Sequence, residues 1–349
     1  LGQPQPPHRH VRREQGRLRY RIDGLLHTVY AFPASVTLAL VSRIKHLGRM
    51  DVAEKRRPQD GRLKSRLPGG AEVELRLSTL PTPFGEKLVL RLFDPEQLHE
   101  NFDHLGLDGE LLRQWEGLLS QRQGIILLTG PTGSGKTSTL YASLKRLATP
   151  QVNLCTIEDP IERLEPAFNQ LQVQPGLDLG FANGVRALLR QDPDIIMIGE
   201  IRDRETAQVA VQAALTGHLV LSTLHTNDAC GAITRLQELG VADYLIKATL
   251  IGVMAQRLVR TLCIDCQGAA GLHSTPCRLC RGTGYHGRTG LFELLVPGAG
   301  LRASIGPDTD LASLRQQAVR EGLHDLRRSG EDKIARGLTS MSEVLRVCS

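Results

Sequence analysis

Aromatic residues are scarce in this 349-residue chain: Phe, Trp and Tyr together make up 4%, with a single Trp at position 115. That leaves little from which to build a base-stacking platform, so nucleic acid is not an expected partner. Long hydrophobic runs are missing as well. No stretch approaches the roughly 18 apolar residues a membrane span needs, and no signal peptide opens the chain. A strong excess of charge is also absent. The 43 basic and 37 acidic residues leave a net +6, which allows acidic partners without demanding them. Seven cysteines without a secretory signal argue for reduced thiols or metal rather than disulfides. The chain begins at Leu1 rather than Met, so a fragment of a longer protein is expected. With 41% hydrophobic and 23% charged residues, it has the composition of a globular protein of two or three domains.

What is present centres on Gly130-Pro131-Thr132-Gly133-Ser134-Gly135-Lys136-Thr137, which fits G-x-x-x-x-G-K-[ST] without a mismatch. The apolar run Ile125–Leu128 before it reads as a buried strand, and Ser138–Leu147 after it reads as a helix. A strand, a glycine-rich turn and a helix start gather backbone N–H groups and the helix dipole around a polyphosphate. Lys136 would reach the β- and γ-phosphates, and the Thr137 hydroxyl would ligate Mg²⁺. A chance glycine-rich turn in an α/β domain is the plainer alternative.

Residues 1–17 are polar, basic and proline-rich, and read as a frayed or truncated remnant. Residues 18–100 form a small α+β domain. Leu18–Ile22, Val73–Leu77 and Lys87–Leu92 alternate like strands, and Ser35–Arg49 carries apolar residues at helical spacing. Pro58–Arg62 reads as a turn and Pro68-Gly69-Gly70 as a hairpin. Arg76 and Arg91 fall on strands, where taken alone they are solvent-facing side chains. Residues 101–108 form a linker, and a helix is expected over Gly109–Leu119. From there to about residue 260, strands alternate with helices, the pattern of a mostly parallel sheet. Residues 261–292 are Cys- and Gly-rich, and 293–349 return to helix.

Three strand ends add polar groups. Asn153–Ile157 leads into Glu158, a candidate to orient the attacking water or to reach Mg²⁺ through water, although an acidic strand end is also a common helix cap. Ile195–Ile198 leads through Gly199 to Glu200, in the manner of a Walker B strand whose usual Asp is replaced by glycine. Glu200 is therefore the candidate general base or Mg²⁺-shell ligand. His218–Leu224 leads into His225, placed where a γ-phosphate sensor belongs.

Together, Gly130–Thr139, Thr156–Glu162, Asp192–Thr206 and Thr216–Asp228 resemble the Walker A, aspartate, Walker B and histidine boxes of the secretion ATPases, the hexameric motors of type II secretion and type IV pilus assembly. Pro58–Arg62, Arg76–Thr82 and Gly85–Leu92 resemble the N-terminal domain of that family. The resemblance implies a RecA-like P-loop ATPase core with a small N-terminal α+β (PAS-like) domain and a zinc-binding C-terminal subdomain. It implies arginine-finger roles for Arg76 and Arg91. It places Arg186, Arg190, Arg202 and Arg235 where the family pairs arginines with phosphate or a neighbouring subunit, and it adds Ser138 and His218 to the nucleotide-binding set. It further implies ATP with Mg²⁺, a homo-hexamer and nucleotide between two domains that pivot at Asn101–Leu107. The partners would be an inner-membrane platform and assembly proteins, with the motor cytoplasmic and peripheral to a bacterial inner membrane.

Cys263-x-x-Cys266 and Cys277-x-x-Cys280, ten residues apart, have the form of two zinc knuckles, with a redox pair as the rival reading. His273 is a spare ligand that four cysteines make unnecessary. In the family, this insert separates assembly and secretion motors from retraction motors. Cys155, Cys230 and Cys348 read as ordinary thiols. Two other functions fit such a core: a RecA-like nucleic-acid translocase, and a nucleotide-sensing adaptor without turnover.

Overall fold

Among the described residues seventeen glycines stand at positive φ, most of them in turns and at element ends, and the strands sort into two sheets. A computed structural model describes residues 5–11, 15–66, 70, 72–93, 101–269, 277–307 and 309–348. The chain divides into two units: residues 1–97 with 263–288, and residues 98–262 with 289–349.

The first unit holds β1 (Gln5–Val11), β2 (Gln15–Ile22), β3 (Leu25–Pro33), α1 (Ala34–Leu47), β4 (Gln59–Arg66), β5 (Glu72–Thr82) and β6 (Gly85–Phe93). The strands form one sheet in the order β3-β2-β1-β6-β5-β4, with antiparallel pairing throughout. Along β5, Val73, Leu75 and Leu77 alternate with Glu74, Arg76 and Ser78, so one face is apolar and the other polar. The apolar face packs Leu77, Leu88 and Leu90 against Val41 of α1 and Met50. The buried Lys45 ammonium fixes the end of α1 by donating to Glu86 Oε1 at 2.7 Å and to the Glu54 carbonyl at 2.6 Å.

Two expectations are corrected here. Residues 5–11 are not a frayed remnant: β1 pairs with β2 on one side and β6 on the other, a main-chain ladder that a polar, proline-rich sequence does not prevent. Nor is Pro58–Arg62 a turn, since Gln59 begins β4. Gly61 is there because a Cβ would press into the Gly48 carbonyl oxygen, and close backbone approach is a standard reason for glycine inside a strand. The Pro68–Gly70 hairpin lies almost wholly outside the described residues.

The second unit runs α2 (Phe102–Leu105), α3 (Gly109–Leu119), β7 (Gly124–Thr129), α4 (Lys136–Leu147), β8 (Leu154–Glu158), β9 (Asn169–Gln172), α5 (Phe181–Leu188), β10 (Ile195–Ile198), α6 (Arg204–Leu215), β11 (Leu219–Leu224), α7 (Gly231–Glu238), α8 (Asp243–Thr249), β12 (Leu250–Leu262), β13 (Tyr285–Leu295, from Thr289 onward), α9 (Ala299–Ser304), α10 (Leu311–Arg320), α11 (Leu326–Ala335) and α12 (Met341–Val347). The seven-stranded sheet has the order β13-β12-β7-β11-β10-β8-β9, and β12, β7, β11, β10, β8 and β9 pair parallel. The continuous apolar run of β7 follows from helices covering both faces. Ile125 and Leu127 join one core with α5, α6 and α7; Ile126 and Leu128 join a second with α2, α3 and α4. The single tryptophan, Trp115 of α3, is fully buried in the second core and donates to Ser143 Oγ at 3.0 Å.

The expected linker is also corrected. Phe102, Leu105 and Leu107 are buried in the core around Trp115, so Asn101–Leu107 is packed structure of the second unit and not a tether. The tetracysteine segment ends at Arg288 and not at residue 292, because Leu291 and Phe292 on β13 are core residues. By its contacts this segment belongs with the antiparallel sheet, where the Gly287 N–H donates to Asp23 Oδ2 and Arg288 pairs with Asp23.

Candidate functional site

Parallel pairing brings several polar groups to one edge. Thr129 of β7 lies opposite Leu224 of β11, and Ile198 of β10 opposite Ser222 of β11 and Ile157 of β8. The glycine loop, Glu158, Glu200 and His225 therefore all leave the sheet at its C-terminal edge, where open α/β sheets bind ligands. Hydroxyls fasten these ends. Thr129 Oγ1 accepts from the Thr226 N–H at 2.8 Å, and Thr223 Oγ1 donates to the Gly199 carbonyl at 2.8 Å.

The glycines of the loop serve different needs. Gly133 sits at φ +81° with open space around its missing side chain, so conformation alone requires it. At Gly135 (φ +90°) a Cβ would stand 2.7 Å from Gln256 Nε2, and at Gly130 it would stand 2.5 Å from the Gln256 carbonyl oxygen. Strand β12 presses on the loop from behind. Pro131, Thr132 and Gly133 are exposed, while Thr137 and Ser138 are half-buried in the first turn of α4.

Lys136 is buried, and its ammonium folds over the loop to donate to the carbonyls of Gly130 (2.7 Å) and Pro131 (3.1 Å). Burial pulls its pKa down to about 8, against the opposing field of Glu200, and the Arg257 charge adds to the depression. The Ser134 hydroxyl is buried with no hydrogen-bond partner. A cationic group bent onto carbonyls, an unsatisfied hydroxyl and a helix N-terminus make a donor set that fits a phosphate chain.

Glu200 Oε2 meets Arg202 Nε at 2.5 Å and His225 Nε2 at 3.5 Å. Glycine precedes Glu200 because a Cβ at 199 would crowd the Ile157 carbonyl (3.2 Å) and the Phe181 ring (3.4 Å). Glu158 is held differently: Thr156 donates to one oxygen at 2.7 Å, Tyr141 to the other at 2.7 Å, and Gln170 adds a third bond at 3.1 Å. Burial, and then the carboxylate, push the Tyr141 phenol's pKa up, so it stays a donor. Both Glu158 oxygens are thus occupied by protein groups.

His218 is a correction. Its carbonyl accepts from the Gly124 N–H at the start of β7, and its ring nitrogen meets the Ala213 carbonyl and the Thr216 hydroxyl. It lies at the opposite end of a six-residue strand from the loop, about 20 Å away at the usual rise. Arg186 pairs with Glu205, Arg190 donates to the Arg186 carbonyl, and Arg235 pairs with Glu238. Of these, Arg235 lines a cleft of about 420 Å³ together with Arg202, His225 and Arg315. Arg76 and Arg91 belong to the first unit, directly opposite each other on β5 and β6.

Two residues escaped sequence reasoning. Gln256 Oε1 accepts from Thr139 at 2.9 Å, and Arg257, nearly buried, donates to the Asn227 carbonyl at 2.7 Å. A polar Gln-Arg pair interrupting the apolar run Ile251–Val259 was the signal.

The four cysteine sulfurs lie within 4.8 Å of one another, with Cys263–Cys277 at 3.8 Å and Cys266–Cys280 at 3.6 Å. Thiolates around one tetrahedral zinc stand about 3.8 Å apart, so the cluster fits that ion. Cys266 and Cys277 are half-buried, and His273 lies outside the described residues.

The model of the family described as type II/IV secretion system protein matches residues 6–346. This chain belongs to that family. An Acinetobacter baylyi protein named type IV pilus assembly ATPase TfpB is 56% identical over 97% of the chain and 62% of its own length. The type II secretion system protein HxcR of Pseudomonas aeruginosa is 48% identical over 95% of the chain and 71% of its own length. The chain therefore spans roughly two thirds of these relatives. Among solved structures, the pilus retraction motor PilT with bound ADP aligns with 25% identity and TM-score 0.65, over 98% of this chain and 93% of the other. The Legionella pneumophila ATPase DotB aligns at TM-score 0.75 and 22% identity, over 98% and 91%, a likeness of fold. The resemblance carried by the four boxes, and the α/β fold expected from it, are borne out.

Proposed function

We propose that this chain binds ATP at Gly130–Thr137 and hydrolyses it to drive assembly of a secretion pseudopilus or a pilus. The observation that carries this reading is the loop itself, with Lys136 folded on its carbonyls and the Ser134 hydroxyl unsatisfied, beside Glu200. Backbone N–H groups, Ser134 and Lys136 hold the phosphates, and Thr137 and Ser138 cap them from α4. Magnesium, held by the Thr137 hydroxyl, would neutralise phosphate charge. Glu200 takes the proton of the attacking water, its carboxylate oriented by Arg202 and His225. The family resemblance assigns Arg76 and Arg91 the neutralising of charge on a transferring phosphoryl group. Glu158 acts on water only where Tyr141 or Gln170 yields its bond; otherwise it fixes α4 to β8. Relatives named as assembly ATPase and as secretion proteins support the motor assignment, with a homo-hexameric ring working at the cytoplasmic face of an inner membrane through platform partners. Among the described residues no helix is long and apolar enough to cross a membrane. Steady-state phosphate release tests the reading: activity in the intact chain and none in Lys136→Ala is expected, and equal activity in both sinks it. Cys263, Cys266, Cys277 and Cys280 would hold zinc that closes their loop. Metal analysis should find one zinc per chain, lost in Cys263→Ser.

A further inference from the structure

Behind the glycine loop the apolar run of β12 is broken by two polar residues. β12 pairs parallel with β7, Ala255 opposite Thr129, so Gln256 and Arg257 pass the loop just where Gly130 begins it. A Cβ on Gly130 would stand 2.9 Å from Arg257 Nη1, so the guanidinium lies against the loop backbone itself. Arg257 is only 8% exposed. Its hydrogen bonds go to neutral groups: Nη2 donates to the Asn227 carbonyl at 2.7 Å and Nη1 to the Gln256 carbonyl at 3.1 Å. Among the described residues it forms no ion pair. The carboxylates around it are engaged by other donors. Asp228 accepts from the Gly231 N–H at 2.7 Å and pairs with Arg315. Glu293 accepts from the N–H groups of Ala229 (2.8 Å) and Leu326 (3.3 Å). Burial pulls the Arg257 pKa down, against the weaker fields of Cys348, Glu293 and Asp228. A buried charge without its own counter-charge is costly, and that cost falls when an anion comes within reach.

We propose that Arg257 is a positioning residue of the nucleotide site: a buried cation whose counter-charge is the phosphate chain, attracted through the glycine loop without contact. Lys136 and the start of α4 would meet the phosphates directly, while Arg257 adds positive charge from behind, where solvent and salt screen it little. The same side chain anchors Asn227, two residues past His225, and this anchoring alone is the purely structural alternative. The inference deepens the proposed function, on which it rests for where the phosphates lie; it does not depend on turnover.

Calorimetric titration of the full chain with ADP and magnesium separates charge from anchoring. Arg257→Gln removes the charge and keeps an N–H donor for the Asn227 carbonyl, whereas Arg257→Lys keeps the charge and loses the planar fork. ADP should bind at least about tenfold more weakly to Arg257→Gln and within about threefold of the unmodified chain to Arg257→Lys. Lys333→Gln removes another buried cation of the same unit, one that donates to the Gly106 carbonyl, and should change the affinity less than about twofold. Unchanged affinity in Arg257→Gln overturns the proposal. Equal losses in Arg257→Gln and Arg257→Lys overturn it too, since the anchor would then matter and the charge would not. Should Arg257→Gln not fold, Arg257→Lys decides: a tenfold loss with the charge retained overturns the proposal, and affinity near that of the unmodified chain supports it. Absence of phosphate release from the unmodified chain would sink the proposed function and leave these ADP titrations standing.

Discussion

The two sheets place their chemistry in opposite ways. The parallel sheet is covered on both faces, so its central strands β7 and β10 are almost wholly apolar, and the glycine loop, Glu158, Glu200 and His225 of the candidate site begin where a strand stops. The antiparallel sheet packs only one face on α1, and its functional candidates, Arg76 and Arg91, stand mid-strand on the other. A doubly covered sheet exposes only its edge to a ligand, whereas a half-covered one offers a surface. Catalytic positions belong to the first kind, because strand ends held by parallel neighbours are fixed in three dimensions. Charge-neutralising groups suit the second.

Glu200→Gln is the sharpest test of the edge. It keeps the shape and removes the base, so turnover should fall by about 10²- to 10⁴-fold while nucleotide affinity stays within a few-fold. Single-turnover kinetics beside a binding titration separate the two. A variant retaining more than a tenth of the rate would remove Glu200 from the chemistry.

Next in size is the contrast in cores. Leu127, fully buried between helices on both sides, should cost about 2–5 kcal/mol as Leu127→Ala. Exposed Lys64 on the polar face of the antiparallel sheet should cost no more than about 0.5 kcal/mol as Lys64→Ala. Urea unfolding of both variants checks this, and equal losses would mean the two sheets are not covered differently.

Legibility in the sequence follows the same division. The glycine loop, its strand and its helix are contiguous, so one window of sequence contained them, and the all-apolar strands announced burial on both faces. That Arg76 and Arg91 stand opposite each other was illegible, because it depends on the register of β5 against β6. Gly61 was misread for a related reason: only the approach of the loop after α1 shows why glycine is needed there. His218 was carried in with its box, although the box spans a whole strand and its first residue must lie at the far edge. Gln256 and Arg257 needed the parallel pairing of β12 with β7 before their place behind the loop could be seen.

Glycines give a smaller effect that distinguishes the two sheets again. Gly61→Ala sets a Cβ against the Gly48 carbonyl, a backbone atom that cannot rotate away, and should cost about 1–3 kcal/mol. In the loop, Gly133→Ala meets no neighbour and carries only the penalty of φ +81°, about 1–2 kcal/mol. Thermal melts should rank Gly61→Ala as the more damaging, and the reverse order would return residues 58–62 to a turn.

The smallest effect concerns protons at the edge site. Lys136 has its pKa drawn down to about 8 by burial, so without nucleotide it loses its proton as pH rises through 8. Bound phosphate favours the charged form and moves that pKa upward, so binding takes up a proton wherever the free lysine is neutral. Affinity for nucleotide should therefore be flat below about pH 7.5 and fall towards tenfold per pH unit above 8. Lys136→Arg keeps its charge across this range and should flatten the profile even if it binds less tightly. Calorimetry between pH 7 and 9.5 in buffers of different ionisation enthalpy would count the proton directly. A wild-type profile that parallels the arginine variant would mean that the ammonium stays charged throughout, and that Glu200 outweighs the burial that isolates it.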